Sequence, residues 1–270
     1  MKAFTIVGVL LLLYACEQKQ NTKVYACVSH TRLNNNSGID STIAQSNLSK
    51  YNALLLGGDL ANLSSYNDSI LTYLDKVFDL DNETTMWALG NHDYSNVDLI
   101  KTHTNRNNYY AHYQDKTIFL VLDTQMDSSK ISGQQLDFFN AVMDTITKAK
   151  NLIVLTHKLI WMRSHTELEQ KINDVSNGHF GDCDYCIQEN NFYKDIYPRL
   201  VEFKLKIGDV FCVAGDVGFK AKKIDYLTSD GIQFLGTGIK ANSENNVFLK
   251  LTNDLKSNKI SFEFEKIEKL

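Results

Sequence analysis

Five short polar clusters in this chain each follow an apolar run: Ser29-His30-Thr31-Arg32, Gly57-Gly58-Asp59-Leu60, Gly90-Asn91-His92-Asp93, His157 after Ile153-Val154-Leu155-Thr156, and Gly215-Asp216-Val217-Gly218. Together they hold imidazoles (His30, His92, His157), carboxylates (Asp59, Asp93, Asp216), the amide of Asn91 and the guanidinium of Arg32. Imidazole and carboxylate are the donor set of Mn²⁺, Fe²⁺ and Zn²⁺ sites. An imidazole beside such a site can also move a proton near neutral pH. Taken singly each cluster is weak, because Gly-Asp after a strand is usually a turn and a lone His is usually structural. The series is the signal: ligands in α/β sheets gather where the C-terminal ends of several strands converge.

The elements that must carry these clusters alternate along the chain. Apolar runs predict strands at Lys23–Ser29, Ala53–Leu56, Thr84–Leu89, Asn151–Thr156 and Asp209–Ala214, and a hairpin joins Asn108–Tyr113 to Thr117–Asp123. Helical spacing predicts helices at Ile39–Lys50, Asp68–Asp79, Ser132–Lys150 (Ser132 as N-cap) and Tyr193–Lys206. The segment from Lys158 to Asn191 is polar and aromatic, and reads as a long loop whose Trp161, Arg163, His165, His179 and Tyr185 line a pocket above the clusters. Four further strands follow, at Lys222–Leu227, Ile232–Leu235, Val247–Leu251 and Ile260–Phe264. Strand–helix alternation followed by an antiparallel run implies an α/β fold with two packed mixed sheets flanked by helices.

The order of the clusters resembles the calcineurin-like metallophosphoesterase family. Gly57-Gly58-Asp59-Leu60 looks like its second motif, and Gly90-Asn91-His92-Asp93 matches its third in full. The resemblance implies that Asp59 bridges two metal ions, that Asn91 and His157 hold the second ion, and that His92 protonates the leaving group with Asp93 orienting it. Two motifs depart from the pattern. Where the family has Ser-Asp-x-His, this chain has Ser29-His30-Thr31-Arg32, so His30 and Arg32 stand in place of two ligands. Where the family has Gly-His-x-His, Asp216 replaces the first His and Gly218 removes the second. The expectation is one divalent ion per chain (Mn, Fe or Zn) at the second site, on Asp59, Asn91, His157 and Asp216, with His30 a substitute ligand at the first. Arg32 has two readings: a cation that binds a phosphoryl oxygen, or a plug that neutralises Asp59 or Asp216.

The N-terminus carries an apolar run from Ala3 to Ala15 before Cys16, too short for a membrane span, which needs roughly 20 residues. It reads as a bacterial lipoprotein signal at residues 1–15, with Leu13-Tyr14-Ala15-Cys16 similar to a lipobox, a polar tether at 16–22, and one domain over 23–270. That predicts a lipid anchor on Cys16 and a cell-envelope location, periplasmic or on the outer membrane. Cys183-Asp-Tyr-Cys186 reads as a local disulfide, since no nearby Cys or His pair completes a zinc site, and Cys27 and Cys212 as buried apolar residues. Lys and Arg total 28 against 32 acids, which excludes a nucleic-acid footprint. A serine-esterase reading fails because Leu60 occupies the place of the nucleophile. Two functions stay open: a metal-dependent phosphoester hydrolase with an altered site, and an inactive member of the fold that binds an envelope glycan or a protein.

Overall fold

The strands whose apolar runs show no alternation are buried on both faces. In β1 (Thr22–Val28), Tyr25 and Cys27 face a second sheet while Ala26 and Val28 face helices. Neighbouring side chains point oppositely, so a strand covered on both sides must be apolar throughout. The computed structural model describes residues 21–33 and 38–270. The leader, Cys16 and most of the tether lie outside the described residues.

The chain continues through α1 (Ser41–Ala44), β2 (Ala53–Leu56), α2 (Asp68–Phe78), β3 (Thr85–Trp87), α3 (Val97–Thr104), β4 (Tyr110–Gln114), β5 (Thr117–Val121), α4 (Gly133–Thr145), β6 (Asn151–Thr156) and α5 (Ile172–Val175). It ends with α6 (Tyr197–Lys206), β7 (Asp209–Ala214), β8 (Lys223–Leu227), β9 (Gln233–Thr237), β10 (Val247–Asp254) and β11 (Lys259–Lys266). One mixed sheet has the order β11-β10-β1-β2-β3 and the other β4-β5-β6-β7-β9-β8. Between them lies an apolar layer that includes Cys27, Leu55, Met86, Phe119, Ile153 and Val213. Leu71, Leu74 and Phe78 of α2 cover the first sheet, whereas Phe139 of α4 and Leu200 and Phe203 of α6 cover the second. The two packed mixed sheets flanked by helices are as expected from the sequence.

Several elements differ from expectation. The helix predicted over Ile39–Lys50 breaks into α1 and a 3₁₀ turn at Leu48–Lys50, because Ser46 Oγ donates to Thr42 O (2.7 Å) and Ser49 Oγ to Asn47 Oδ1 (2.7 Å). Such side chains offer the backbone partners outside the helix. Helix α4 stops at Thr145, five residues short, and Ser132 bonds Asp127 rather than capping it. Helix α3 was not expected; Asn96 caps it by accepting from Leu99 N (3.1 Å). The segment 158–191 does remain largely irregular, but Trp161 is buried in the core, stacked on Phe234 at 4.9 Å, and lines no pocket.

The two sheets touch backbone to backbone just past the ends of β2 and β7. A Cβ on Gly57 would lie 2.7 Å from Gly215 Cα, and one on Gly215 would lie 2.0 Å from Gly57 O. This backbone-to-backbone contact brings the second and last polar clusters together. Gly215→Ala is expected to destabilise the fold by about 1–3 kcal/mol through overpacking. Denaturant unfolding checks this; a change below about 0.5 kcal/mol, the scale of a neutral surface substitution, would mean that the sheets separate freely.

Candidate metal centre

Asp59 is the point on which the clusters converge. Its Oδ2 lies 3.6 Å from His30 Nε2, 3.5 Å from Arg32 Nε and 4.0 Å from His92 Nε2, and its Oδ1 lies 3.7 Å from His157 Nε2. His157 Nε2 is also 3.9 Å from Asp216 Oδ1. Each of the three imidazoles is held from behind by a backbone carbonyl: His30 Nδ1 by Ile239 O (3.2 Å), His92 Nδ1 by Asn62 O (2.8 Å) and His157 Nδ1 by Gly57 O (2.7 Å). A carbonyl only accepts, so Nδ1 carries the hydrogen and the Nε2 atoms turn toward Asp59. Carbonyls that accept from Nδ1 in this way fix the ring and turn Nε2 outward, as they do for metal-ligating histidines.

The backbone that presents Asp59 is strained. Gly58, Asp59 and His30 all have positive φ (88°, 55° and 55°), a region that costs a side-chain-bearing residue energy unless its surroundings enforce it. Asp93 enforces it. Its buried carboxylate accepts from Asp59 N (2.8 Å), Gly90 N (2.8 Å), Leu60 N (3.2 Å), Trp87 Nε1 (3.3 Å) and Ser64 Oγ. Asp93 therefore clasps the two glycine turns and does not touch the His92 ring, whose orienting partner is Asn62 O. Orienting His92, the role the sequence assigns to Asp93, falls to Asn62 O instead. Gly90 allows the turns to approach, since a Cβ there would fall 2.2 Å from Asp59 Oδ1. Asn91 follows Gly90 in a 3₁₀ turn and is half-buried, and its side chain makes no contact with the other predicted ligands among the described residues.

Asp216 enters from β7, held on its far side: Oδ2 accepts from Ser176 Oγ (3.1 Å) and Gly178 N (3.3 Å), and its carbonyl from Asn177 N (2.9 Å). Asn177 Oδ1 also takes Phe219 N (2.8 Å), and the Phe219 ring lies against His30 (4.9 Å) and under the Arg32 guanidinium (5.6 Å). The 158–191 segment thus supports the centre through Ser176 and Gly178 directly and through Asn177 on Phe219, none of which the sequence patterns mark. Arg163 pairs instead with Glu169 and Glu189, and His165 packs on Tyr193 and Tyr226.

Burial pushes the His30 imidazole down to about 4, with Asp59 opposing, so it is neutral at pH 7. Burial also works against charging His157, but Asp59 and Asp216 outweigh it and raise its pKa. For Asp59 burial acts upward, and the facing imidazoles, His157 foremost, hold the carboxyl below its usual range. Burial raises Asp216.

A sandwich of two mixed sheets with a carboxylate–imidazole centre at its strand ends defines a metallophosphoesterase-like fold. The model of the calcineurin-like phosphoesterase family matches residues 33–185, and the chain belongs to that family. The matched span contains Asp59, Asn91, His92 and His157, and stops short of both departing motifs. Among solved structures, a dimetal phosphatase from Danio rerio is similar with a TM-score of 0.59 at 11% identity, over 91% of this chain and 96% of that one. GAP50, the anchor in the inner membrane complex of Plasmodium, is similar with a TM-score of 0.58 at 12% identity, over 92% and 85%. No curated protein matches the chain by sequence.

The residues present fit a divalent ion. His157 Nε2 is buried and without a hydrogen-bond partner, and as a lone pair it faces two carboxylate oxygens. That contact is repulsive unless a proton or a cation lies between. Ligand atoms about 2.0–2.2 Å from an ion lie roughly 3–3.5 Å apart, a few tenths below the spacings here.

In chelator-treated protein the proton takes that place. The folded pKa of His157 lies above its unfolded value of about 6.5, so the stability it contributes is complete below that pH and lost as pH rises through the folded pKa. The unfolding free-energy difference between wild type and His157→Gln should therefore shrink from about pH 6 to pH 9. With Mn²⁺ added it should instead grow, because ion and proton compete for Nε2. Unfolding titrations across pH check this, and a pH-independent difference in the metal-free protein would sink it.

Proposed function

We propose that this protein is a phosphoester hydrolase that works with one divalent ion, Mn²⁺, Fe²⁺ or Zn²⁺, held by Asp59, His157, Asp216 and Asn91. The observation that carries this reading is the unpartnered His157 Nε2 between two carboxylates. The other side of Asp59 suits a cationic side chain better than a second ion. Arg32 already stands there, and position 218 offers no ligand: Gly218 has φ 135°, and a Cβ would sit 2.6 Å from Ile239 O.

When bound, the ion polarises a phosphoryl oxygen and makes water nucleophilic near neutral pH. The chain's own residues do the rest. Arg32 turns Nε toward Asp59 at 3.5 Å, and its guanidinium fork is suited to a second phosphoryl oxygen. His92, its ring fixed by Asn62 O, is the residue that would hand a proton to the departing alkoxide. His30, neutral and buried, packs beside Asp59 with its Nε2 3.6 Å from Oδ2. The lipobox-like Leu13-Tyr14-Ala15-Cys16 supports a lipid anchor in the bacterial envelope as the setting of this activity. Among the described residues no helix is long and apolar enough to cross a membrane.

A second reading, an inactive fold binding an envelope glycan or protein, is favoured by the lost ligands at positions 30, 32 and 218; the Plasmodium protein of this fold is described as an anchor. Metal content and turnover separate the two. The purified protein should retain one Mn²⁺ or Zn²⁺ per chain after desalting, and Asp59→Ala and His157→Ala should lose it. Aryl phosphate mono- or diester hydrolysis should fall about 10²–10⁴-fold in His92→Ala. Arg32→Ala should keep the ion and lose turnover; tighter metal binding without loss of rate would make Arg32 a plug. Absence of bound metal, together with turnover no higher than that of His92→Ala, would hand the fold to the binding reading.

A further inference from the structure

The Cys183-Asp-Tyr-Cys186 motif acquires a third ligand in the fold. The two cysteines form a disulfide, as the sequence predicts, but His179, four residues ahead of Cys183, turns back onto it. His179 Nε2 is 3.5 Å from Cys186 Sγ, and the ligand atoms of His179, Cys183 and Cys186 all lie within 4.8 Å of one another. Nothing in the spacing of the cysteines alone pointed to this histidine.

The three positions are fixed by bonds other than the disulfide. Cys186 N donates to Cys183 O (2.9 Å), Ile187 N to His179 O (3.0 Å) and Gly181 N to Ile187 O (3.4 Å). Gln188 Nε2 donates to Cys183 O, while its Oε1 takes the buried Lys158 Nζ (3.1 Å). One stem is tied to the core through Gly178 N on Asp216. Opening the S–S bond therefore leaves the sulfurs and the imidazole facing one another. Cys186 is buried, Cys183 half-buried and His179 exposed, so a reductant reaches one sulfur and solvent reaches the third ligand.

We propose that this loop is a second, redox-gated metal site, built by Cys183, Cys186 and His179 and selective for a thiophilic divalent ion such as Zn²⁺. Two thiolates and one imidazole make three ligands of a tetrahedral set, with the fourth position open to solvent. In the oxidised chain the sulfurs are bonded to each other and the site is closed. A dithiol opens it: its thiolate attacks one sulfur, the S–S bond breaks, and its second thiol displaces the resulting mixed disulfide. Two electrons pass to the cysteines, which leave as thiols, and the reductant leaves as a disulfide. Ion binding then releases the two thiol protons, so affinity rises with pH.

The site is independent of the reading of the Asp59 centre, and the test keeps them apart by donor atom. Co²⁺ is titrated into wild-type protein reduced with a dithiol and desalted without oxygen, and into the untreated oxidised protein. Thiolate-to-Co²⁺ charge-transfer absorption reports only sulfur ligation, which the nitrogen and oxygen donors around Asp59 cannot give. The reduced protein should develop this absorption to one equivalent, Zn²⁺ should bleach it, and the oxidised protein should show none. Exposed His179→Ala should weaken the site by more than about tenfold, since even outer-shell partners contribute that much. Absence of thiolate absorption in the reduced protein would overturn the proposal, as would an affinity indifferent to His179→Ala.

Discussion

One buried carboxylate organises this molecule. Asp59 is 2% exposed, and a lone charge at that depth would be untenable without compensation. Part of the compensation comes from the Arg32 guanidinium and from the backbone N–H of His92 on Oδ1 (3.1 Å), while three imidazoles aimed by carbonyls face the same carboxylate. None of these side-chain contacts is a close ion pair. The centre is spaced to be completed by a cation and is not closed on itself.

The rest of the fold makes that spacing rigid. Asp59 sits on a left-handed turn that Asp93 secures through the N–H groups of Asp59, Leu60 and Gly90, so two turns from β2 and β3 act as one piece. The contact of Gly57 with Gly215 then sets the distance between the sheets, and with it the distance from Asp59 to Asp216. Beyond β7, the loop around Ser176 and Gly178 fixes Asp216 from outside. The imidazoles are aimed by backbone carbonyls and the Asp59 turn is held through its N–H groups, while Asp216 leans on both the Ser176 hydroxyl and Gly178 N; such preorganisation is what a metal site requires.

The clusters at the strand ends were legible because burial on both faces of a parallel strand forces an apolar run, and the first polar residue after it stands out. Hence β2, β6 and β7 were delimited to the residue, and Asp59, His157 and Asp216 were picked out together with His30, Arg32 and His92. What stayed illegible acts through the backbone. The carbonyls of Gly57, Asn62 and Ile239 leave no residue signature. The clasp by Asp93 looks in sequence like a catalytic partner, because the Gly-Asn-His-Asp spacing puts it beside His92 while the turn points it inward. The fragmentation of the Ile39–Lys50 helix turned on Ser and Asn hydroxyl and amide bonds that propensity does not resolve.

The departures in the first motif make sense as a pair once charge is followed. In the pattern the chain resembles, the first site adds a divalent cation and one aspartate beside the bridging carboxylate, a net gain of one positive charge. In this chain Arg32 supplies one positive charge, and His30, whose pKa burial has pushed down to about 4, adds none. The local balance around Asp59 is the same in the two arrangements. Either substitution alone would break it: arginine beside a retained aspartate would cancel the positive charge, and histidine without arginine would leave Asp59 undercompensated at 2% exposure. Under the proposed single-ion reading, a phosphoryl group would meet a guanidinium where the family pattern has an ion, and the attraction for an anion would be kept.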